Sequence, residues 1–466
     1  MTAEQATVPG LPAGAVETLM AAVGGARWFA GKGRAPEPRS FTPLPWLSPS
    51  SAGSPRVRLA VLEVAYPGTA GVEHYQLALV HRSADEPAPA GLTPLYRDGD
   101  ADVYDAAQDP EAAAVLLDAL LDERTASDDT GAVRFHLRDA GPLHRDLPAQ
   151  VFRGQQSNTS VMFGEVAMVK LFRRLELGRN LDIEVHAALG DAGLGGGDSA
   201  GSSDVARLYG WAEATWTRDG EVLGADLLMC VEKLADATDG WDLALETLRA
   251  GTPFTEHAAA LGHALAETHA ALRTAFGTGE QPGSDVAAVM AARLETAAGV
   301  APALEPYATG LRARFDALGS GDLAVQRVHG DFHLGQTLHT PSGWKIIDFE
   351  GEPAKTLAER VAPDTVWRDV AGMLRSFDYA AASEPGPGSA AWRDACRTAF
   401  LDGYTSGGTL SADDSDALAA YEADKAVYEV VYEVRNRPDW VSIPLGALAA
   451  LAHGTHATTP AEGAPR

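Results

Sequence analysis

The periodicity of the chain changes near residue 237, and this change constrains the fold more than any other feature. Before it, short runs rich in β-branched and aromatic residues (VRLAVLEVAY, HYQLALVHR, SVMFGEVAMVKLF, DLLMCVEKL) alternate with Pro- and Gly-containing punctuation. That pattern marks antiparallel strands. After it, apolar residues recur at helical steps, interrupted by VHGDFHLGQTLHT and GWKIIDFEGE. Strands gathered in one half and helices in the other predict an α+β fold. A chain of 466 residues is also long enough for two or three packed units.

The expected boundaries follow composition. Residues 1–95 read as a first unit, with a helix (LPAGAVETLMAAVG), a basic turn (ARWFAGKGR) and a small sheet. Residues 96–236 read as a second, β-rich unit; within it DPEAAAVLLDALLDER is helical, TASDDTG is a loop, and GLGGGDSAGSS is a flexible surface segment. Residues 237–455 form a helical unit, and 456–466 a disordered tail.

The formal charge of −27 weighs against nucleic acid and anionic membranes as partners, since both reward a basic footprint. The start, MTAEQATVPGLPAG, lacks the basic and apolar regions of a signal peptide, and no run of 18 apolar residues occurs. Two cysteines, Cys230 and Cys396, give neither a disulfide framework nor a metal cluster. Cys230, in the apolar run LLMC, reads as a buried small side chain. A cytoplasmic protein, monomeric or weakly oligomeric, is the expectation.

The chemistry concentrates in His329-Gly330-Asp331-Phe332-His333-Leu334-Gly335-Gln336 and Ile346-Ile347-Asp348-Phe349-Glu350. Phosphoryl transfer from ATP needs a carboxylate to orient the acceptor hydroxyl, and oxygen ligands that hold magnesium on the phosphates. Asp331 suits the first task. Gln336, five residues later, offers a neutral oxygen, and Asp348, after a short apolar strand, a charged one. Glu350 either ligates metal or braces the loop. A hairpin turning at TPSG (340–343) would bring these groups together. His329 and His333 have the spacing of a helical metal pair, but Gly330 opposes a helix and no third ligand is evident. His329 reads first as a brace for the loop.

HGDFHLGQ followed by IDFE resembles the aminoglycoside-phosphotransferase-like branch of the protein-kinase-like superfamily, with Gln336 where that branch usually carries Asn. The resemblance implies a bilobal fold with a β-rich nucleotide lobe, a helical C-terminal lobe, ATP and Mg²⁺. A kinase reading also predicts an upstream strand lysine, a helix glutamate and a loop over the phosphates. Lys170 in VAMVK, Glu184 fourteen residues later, and the turn Gly154-Gln155-Gln156-Ser157-Asn158-Thr159-Ser160 take those places. Gln155, Ser157, Asn158 and Thr159 are the expected phosphate contacts. LLMCVEKL resembles a hinge strand, which places adenine near the backbone of Glu232 and Leu234.

Over most of its length the chain resembles the actinobacterial maltokinases, through ARWFAGKGR, RVHGDFHLGQTLHTPSGWKIIDFEGEPAKTLAER, WRDVAGMLRSFDYAA and DKAVYEVVYEVRNRPDW. The resemblance implies an N-terminal cap and transfer of the ATP γ-phosphate to the anomeric hydroxyl of maltose. It implies a sugar site on the last segment, where Lys425, Tyr428, Tyr432 and Asn436 recur along one helical face. An amine, two ring hydroxyls and an amide suit a sugar, although an amphipathic helix burying its tyrosines would show the same spacing. His329 gains a sugar contact on this reading, with Arg437 and Trp440 nearby, while Asp369 buttresses the catalytic loop. Trp28, Lys32 and Arg34 form a basic aromatic turn that either touches substrate or docks the cap on the kinase lobe, and docking is the expectation. A kinase of glucosamine or glucose is the alternative, and a non-catalytic partner of a trehalose synthase is a second.

Overall fold

A computed structural model of the protein describes residues 8–48, 55–69, 71–89, 91–152, 158–193, 204–352 and 355–452. Gln155 and Ser157, and the tail from 456, lie outside these residues. The chain divides into two compact units, Met1–His186 with Ala206–Ala235, and Ala187–Val205 with Asp236–Arg466. The strand-to-helix change read near residue 237 is the change from one unit to the other.

The first unit holds two antiparallel sheets. In one, Arg56–Ala65 pairs with Glu37–Trp46 and Glu73–Ser83, and Ala101–Asp105 and Tyr96–Asp98 extend it. Those last two strands carry the sheet past residue 95, where composition placed a boundary. The sheet buries Phe41, Leu62 and Tyr75 against Leu19 and Val23 of the helix Ala15–Gly25. The basic turn folds onto the same core. Arg34 lies 3.3 Å over the Tyr66 ring and pairs with Glu73, and Trp28 sits 6.0 Å from Tyr75.

The second sheet has seven strands, in the order Thr125–Asp128, Gly131–Leu137, Leu208–Arg218, Glu221–Glu232, Ala167–Leu171, Thr159–Phe163, Ala149–Val151. TASDDTG, expected as a loop, is instead strand and turn, because Thr125–Asp128 is a hairpin arm against Gly131–Leu137. The helix Pro110–Leu121 starts where the sequence suggests, at Asp109, whose side chain accepts from the N–H groups of Glu111 and Ala112.

The second unit is helical. Its long helices are Thr255–Phe276, Gly283–Val300, Trp367–Ser383, Ser389–Tyr404 and Ala412–Asn436. The expected hairpin is present: Thr337–Thr340 pairs with Gly343–Ile346 in register Thr337↔Ile346 to Thr340↔Gly343. No described helix is long and apolar enough to cross a membrane.

Candidate functional site

In the second unit the loop His329–Gln336 is positioned by one face of a single helix. Asp369, Gly372 and Ser376 of Trp367–Ser383 recur at steps of three and four, so they share a face. Asp369 is fully buried; its carboxylate accepts from the backbone N–H of His329 (2.7 Å) and Gly330 (2.8 Å), and from His269 Nε2 (2.9 Å). Burial alone would raise its pKa, but the hydrogen bonds from His269 and from the Gly330 N–H help hold it below the usual carboxylate range. Gly372 lets the helix approach the loop backbone, since a Cβ there would stand 2.4 Å from the Phe332 carbonyl oxygen. Ser376 Oγ accepts from Leu334 N–H at 3.1 Å.

His329 is buried, and both ring nitrogens serve the loop. Nδ1 accepts from Asp331 N–H at 3.3 Å, and Nε2 donates to the Ile347 carbonyl at 3.0 Å. Both ring nitrogens are engaged in these contacts with the backbone, and neither points to the sugar contact suggested for this residue. Gly330 adopts φ +84, the left-handed region that a side chain at this turn would oppose.

The loop presents Asp331, whose Oδ1 meets Lys425 Nζ at 3.1 Å. Burial pushes the Asp331 carboxyl up, but the Lys425 ammonium and His333 more than offset this and leave it below the ordinary value. Lys425 shifts upward: desolvation opposes its charge, and Asp331 restores it.

Asp348 follows the hairpin with φ +66, an uncommon conformation for a non-glycine residue. Gln336 Nε2 donates to its Oδ2 at 3.3 Å, and a Glu350 carboxylate oxygen lies within 4.8 Å of one from Asp348. Two carboxylates and an amide are hard oxygen donors of the kind Mg²⁺ takes. A cation there would replace the Gln336–Asp348 hydrogen bond, with the amide turned to present its oxygen.

Asp331, Lys425 and Tyr428 line a cavity of about 210 Å³ within the second unit. Its charged wall was not read from the sequence. Arg368 pairs with Glu352 at 2.6 Å and donates to the Gly330 carbonyl at 3.0 Å; Arg293 pairs with Asp424; Lys355 and Glu359 complete the lining. The four cationic side chains of the wall thus face four carboxylates. These residues come from separate helices and loops, and only the folded chain assembles them. Tyr432 and Asn436 do not reach this wall. Tyr432 is 43% exposed with its ring 6.4 Å from Tyr428, and Asn436 donates to the Tyr432 carbonyl of its own helix. Shared helical phase is not proximity, because eleven residues of helix advance about 16 Å.

In the first unit Lys170, on Ala167–Leu171, pairs at 3.0 Å with Asp182, which the sequence analysis did not single out. Asp182 lies in the first turn of the helix Leu181–Asp191, two residues before Glu184, and is 3% exposed. The Asn180 side chain accepts from Asp182 and Ile183 N–H, which caps the helix and fixes this placement. Burial would raise the Asp182 pKa, but Lys170 and His186 hold it far below the usual range.

The other nucleotide candidates are largely engaged within the sheet. Thr159 Oγ1 accepts from Arg173 Nε at 2.8 Å, and Asn158 Oδ1 from Arg173 N–H at 3.3 Å. These two side chains hold the buried Arg173 where phosphate contacts were expected. Glu232 N–H donates to the Arg207 carbonyl and Lys233 N–H to the Val166 carbonyl, because the strand stays paired to its end. Leu234 lies beyond the strand.

Comparison with known proteins agrees with this architecture. Residues 23–109 match the maltokinase N-terminal cap domain, and residues 223–412 the phosphotransferase enzyme family. A glucosamine kinase of Streptacidiphilus jiangxiensis is 32% identical over 395 residues, 78% of this chain and 86% of that protein. One from Mycolicibacterium smegmatis is 29% identical over 392 residues, 78% and 93% of the two chains. A solved glucosamine kinase in complex with glucosamine, ADP and inorganic phosphate superposes with a TM-score of 0.64 at 23% identity, covering 92% of this chain and 98% of that one.

Proposed function

The chain belongs to the phosphotransferase enzyme family, in the group that carries a maltokinase N-terminal cap domain, and on that premise we propose that it transfers the γ-phosphate of ATP to a hydroxyl of maltose. The observation that carries the sugar-kinase reading is Asp331, depressed in pKa and held on a cavity wall by the Asp369 scaffold. An ionised carboxylate there can orient the acceptor hydroxyl and take its proton as the new P–O bond forms. Lys425 keeps that carboxylate charged and fixes its rotamer. Lys170, steadied by Asp182, is the candidate to meet the nucleotide phosphates. Asp348, with Gln336 and Glu350, would hold Mg²⁺, which when bound neutralises charge on the phosphates.

For the acceptor, two features favour an uncharged sugar. The cavity wall carries four cationic side chains and four carboxylates, so it has no net negative charge to favour an ammonium group. Tyr428, with Lys425 Nζ 5.5 Å over its ring, gives the cavity an aromatic surface of the kind that packs on a pyranose. Glucosamine is the second reading, favoured by the two glucosamine kinases above. ADP release with ATP and magnesium, assayed in parallel with maltose, glucosamine, glucose and an aminoglycoside, separates them. Turnover restricted to maltose supports the proposal. A preference for glucosamine keeps the kinase and removes maltose, and silence on all sugars removes both.

A further inference from the structure

We infer that Asp424 is a specificity-determining contact to the acceptor, its Oδ1 accepting a hydrogen bond from one hydroxyl of the sugar. The inference rests on the sugar-kinase reading above. Asp424 lies on Ala412–Asn436, lines the same cavity as Asp331, and is only 7% exposed. Its Oδ2 accepts from Arg293 Nη1, whereas its Oδ1 has no hydrogen-bond partner among the described residues. Leaving a buried acceptor unmatched costs about 1–3 kcal/mol, and most buried side-chain polar atoms find a partner. An orphaned carboxylate oxygen on the wall of a cavity therefore marks where a ligand, or the water it displaces, brings a donor.

The surroundings define that donor. Arg293, from the helix Gly283–Val300, already balances the carboxylate and fixes its rotamer, so a neutral hydroxyl satisfies Oδ1 without adding charge. Asp424 and Tyr428 are four residues apart and share a helix face, while Lys425 is rotated by about 100° from Asp424. A sugar ring against Tyr428 can reach Asp424 through one hydroxyl while another lies toward Asp331.

The test is Asp424→Asn assayed beside wild type with the best sugar of the parallel assay and its monodeoxy analogues. The expected result is a KM for the sugar raised about 10- to 100-fold, as loss of a hydrogen bond to a charged group implies. kcat should stay within a few-fold and the KM for ATP should not change. A residue acting only on structure would not discriminate among the analogues. Here one deoxy sugar should be turned over equally by both proteins, because it lacks the hydroxyl that Asp424 meets. If D424N melts early, Arg293→Lys, which lets the carboxylate shift, must show the same single-position coupling. Equal losses across all analogues, or none, overturn the inference while leaving the sugar-kinase reading intact. Wild type inactive on every sugar overturns that reading and this inference with it.

Discussion

Two lysine–carboxylate pairs of nearly equal length sit in the two units, Lys170–Asp182 at 3.0 Å and Lys425–Asp331 at 3.1 Å. Their surroundings differ. The Lys170 and Asp182 side chains are 14% and 4% exposed, and His186 closes on Asp182 from the next turn. Lys425 and Asp331 are 26% and 19% exposed and border a cavity. On the proposed function, the carboxylate of the first pair positions a lysine, and that of the second, on the cavity wall, meets the substrate hydroxyl. The same residue types at the same distance would then differ in role through their surroundings.

The largest effect that would break this contrast is on turnover. Asp331→Asn should lower kcat by about 10²–10⁴-fold, the usual contribution of a positioned base, with nucleotide binding little changed. Near-normal turnover would place the base elsewhere. Next comes the scaffold. Asp369→Ala strands two backbone donors and His269 in the interior and should cost about 3 kcal/mol or more, read as a lowered denaturation midpoint together with lost activity. A stable, active variant would mean that the loop does not depend on this carboxylate.

A sharper test separates the two pairs directly. Asp182→Asn removes a buried charge that Lys170 meets and should cost about 3 kcal/mol, raising the KM for ATP but not for sugar. Lys425→Met, at the pair that borders the cavity, should instead raise the KM for sugar several-fold and leave the KM for ATP unchanged. Exchange of those two signatures would contradict the assignment of the units.

The smallest effect is with pH. Asp182 and Asp331 both titrate below their ordinary value of 3.8 when folded. Each contributes stability that is present above that value and is lost as pH falls through the lower folded pKa. The unfolding midpoint should therefore show no loss from these groups between pH 5 and 8, and kcat/KM no acid limb from Asp331 in that range. A limb near pH 6 that disappears in D331N would show that Lys425 does not hold Asp331 ionised.

The sequence made the contiguous parts of this account legible. HGDFHLGQ and IDFE name Asp331, Gln336 and Asp348 because loop chemistry and a hairpin turn are local properties of the chain. The strand-to-helix change was legible for the same reason. The cavity wall was not. Arg293, Glu352, Arg368 and Asp424 are scattered charges that ordinarily mark solvated faces, and only tertiary packing turns them onto one space. Asp182 was overlooked because the helix start at Leu181, which decides what its first turn can reach, depends on the Asn180 cap. Tyr432 and Asn436 share the helical phase of Lys425 and Tyr428 but do not line the cavity, because phase alone does not give nearness.

On the proposed function, Asp331 serves transfer of a phosphoryl group to a sugar hydroxyl. Phosphorus NMR of a reaction containing ATP, magnesium and maltose, run with wild type and with Asp331→Asn, tests it most directly. A new sugar-phosphate ester resonance should grow with ADP in the wild-type sample and be almost absent with the variant. ADP appearing only with free phosphate, or the ester forming equally fast with both proteins, would contradict it.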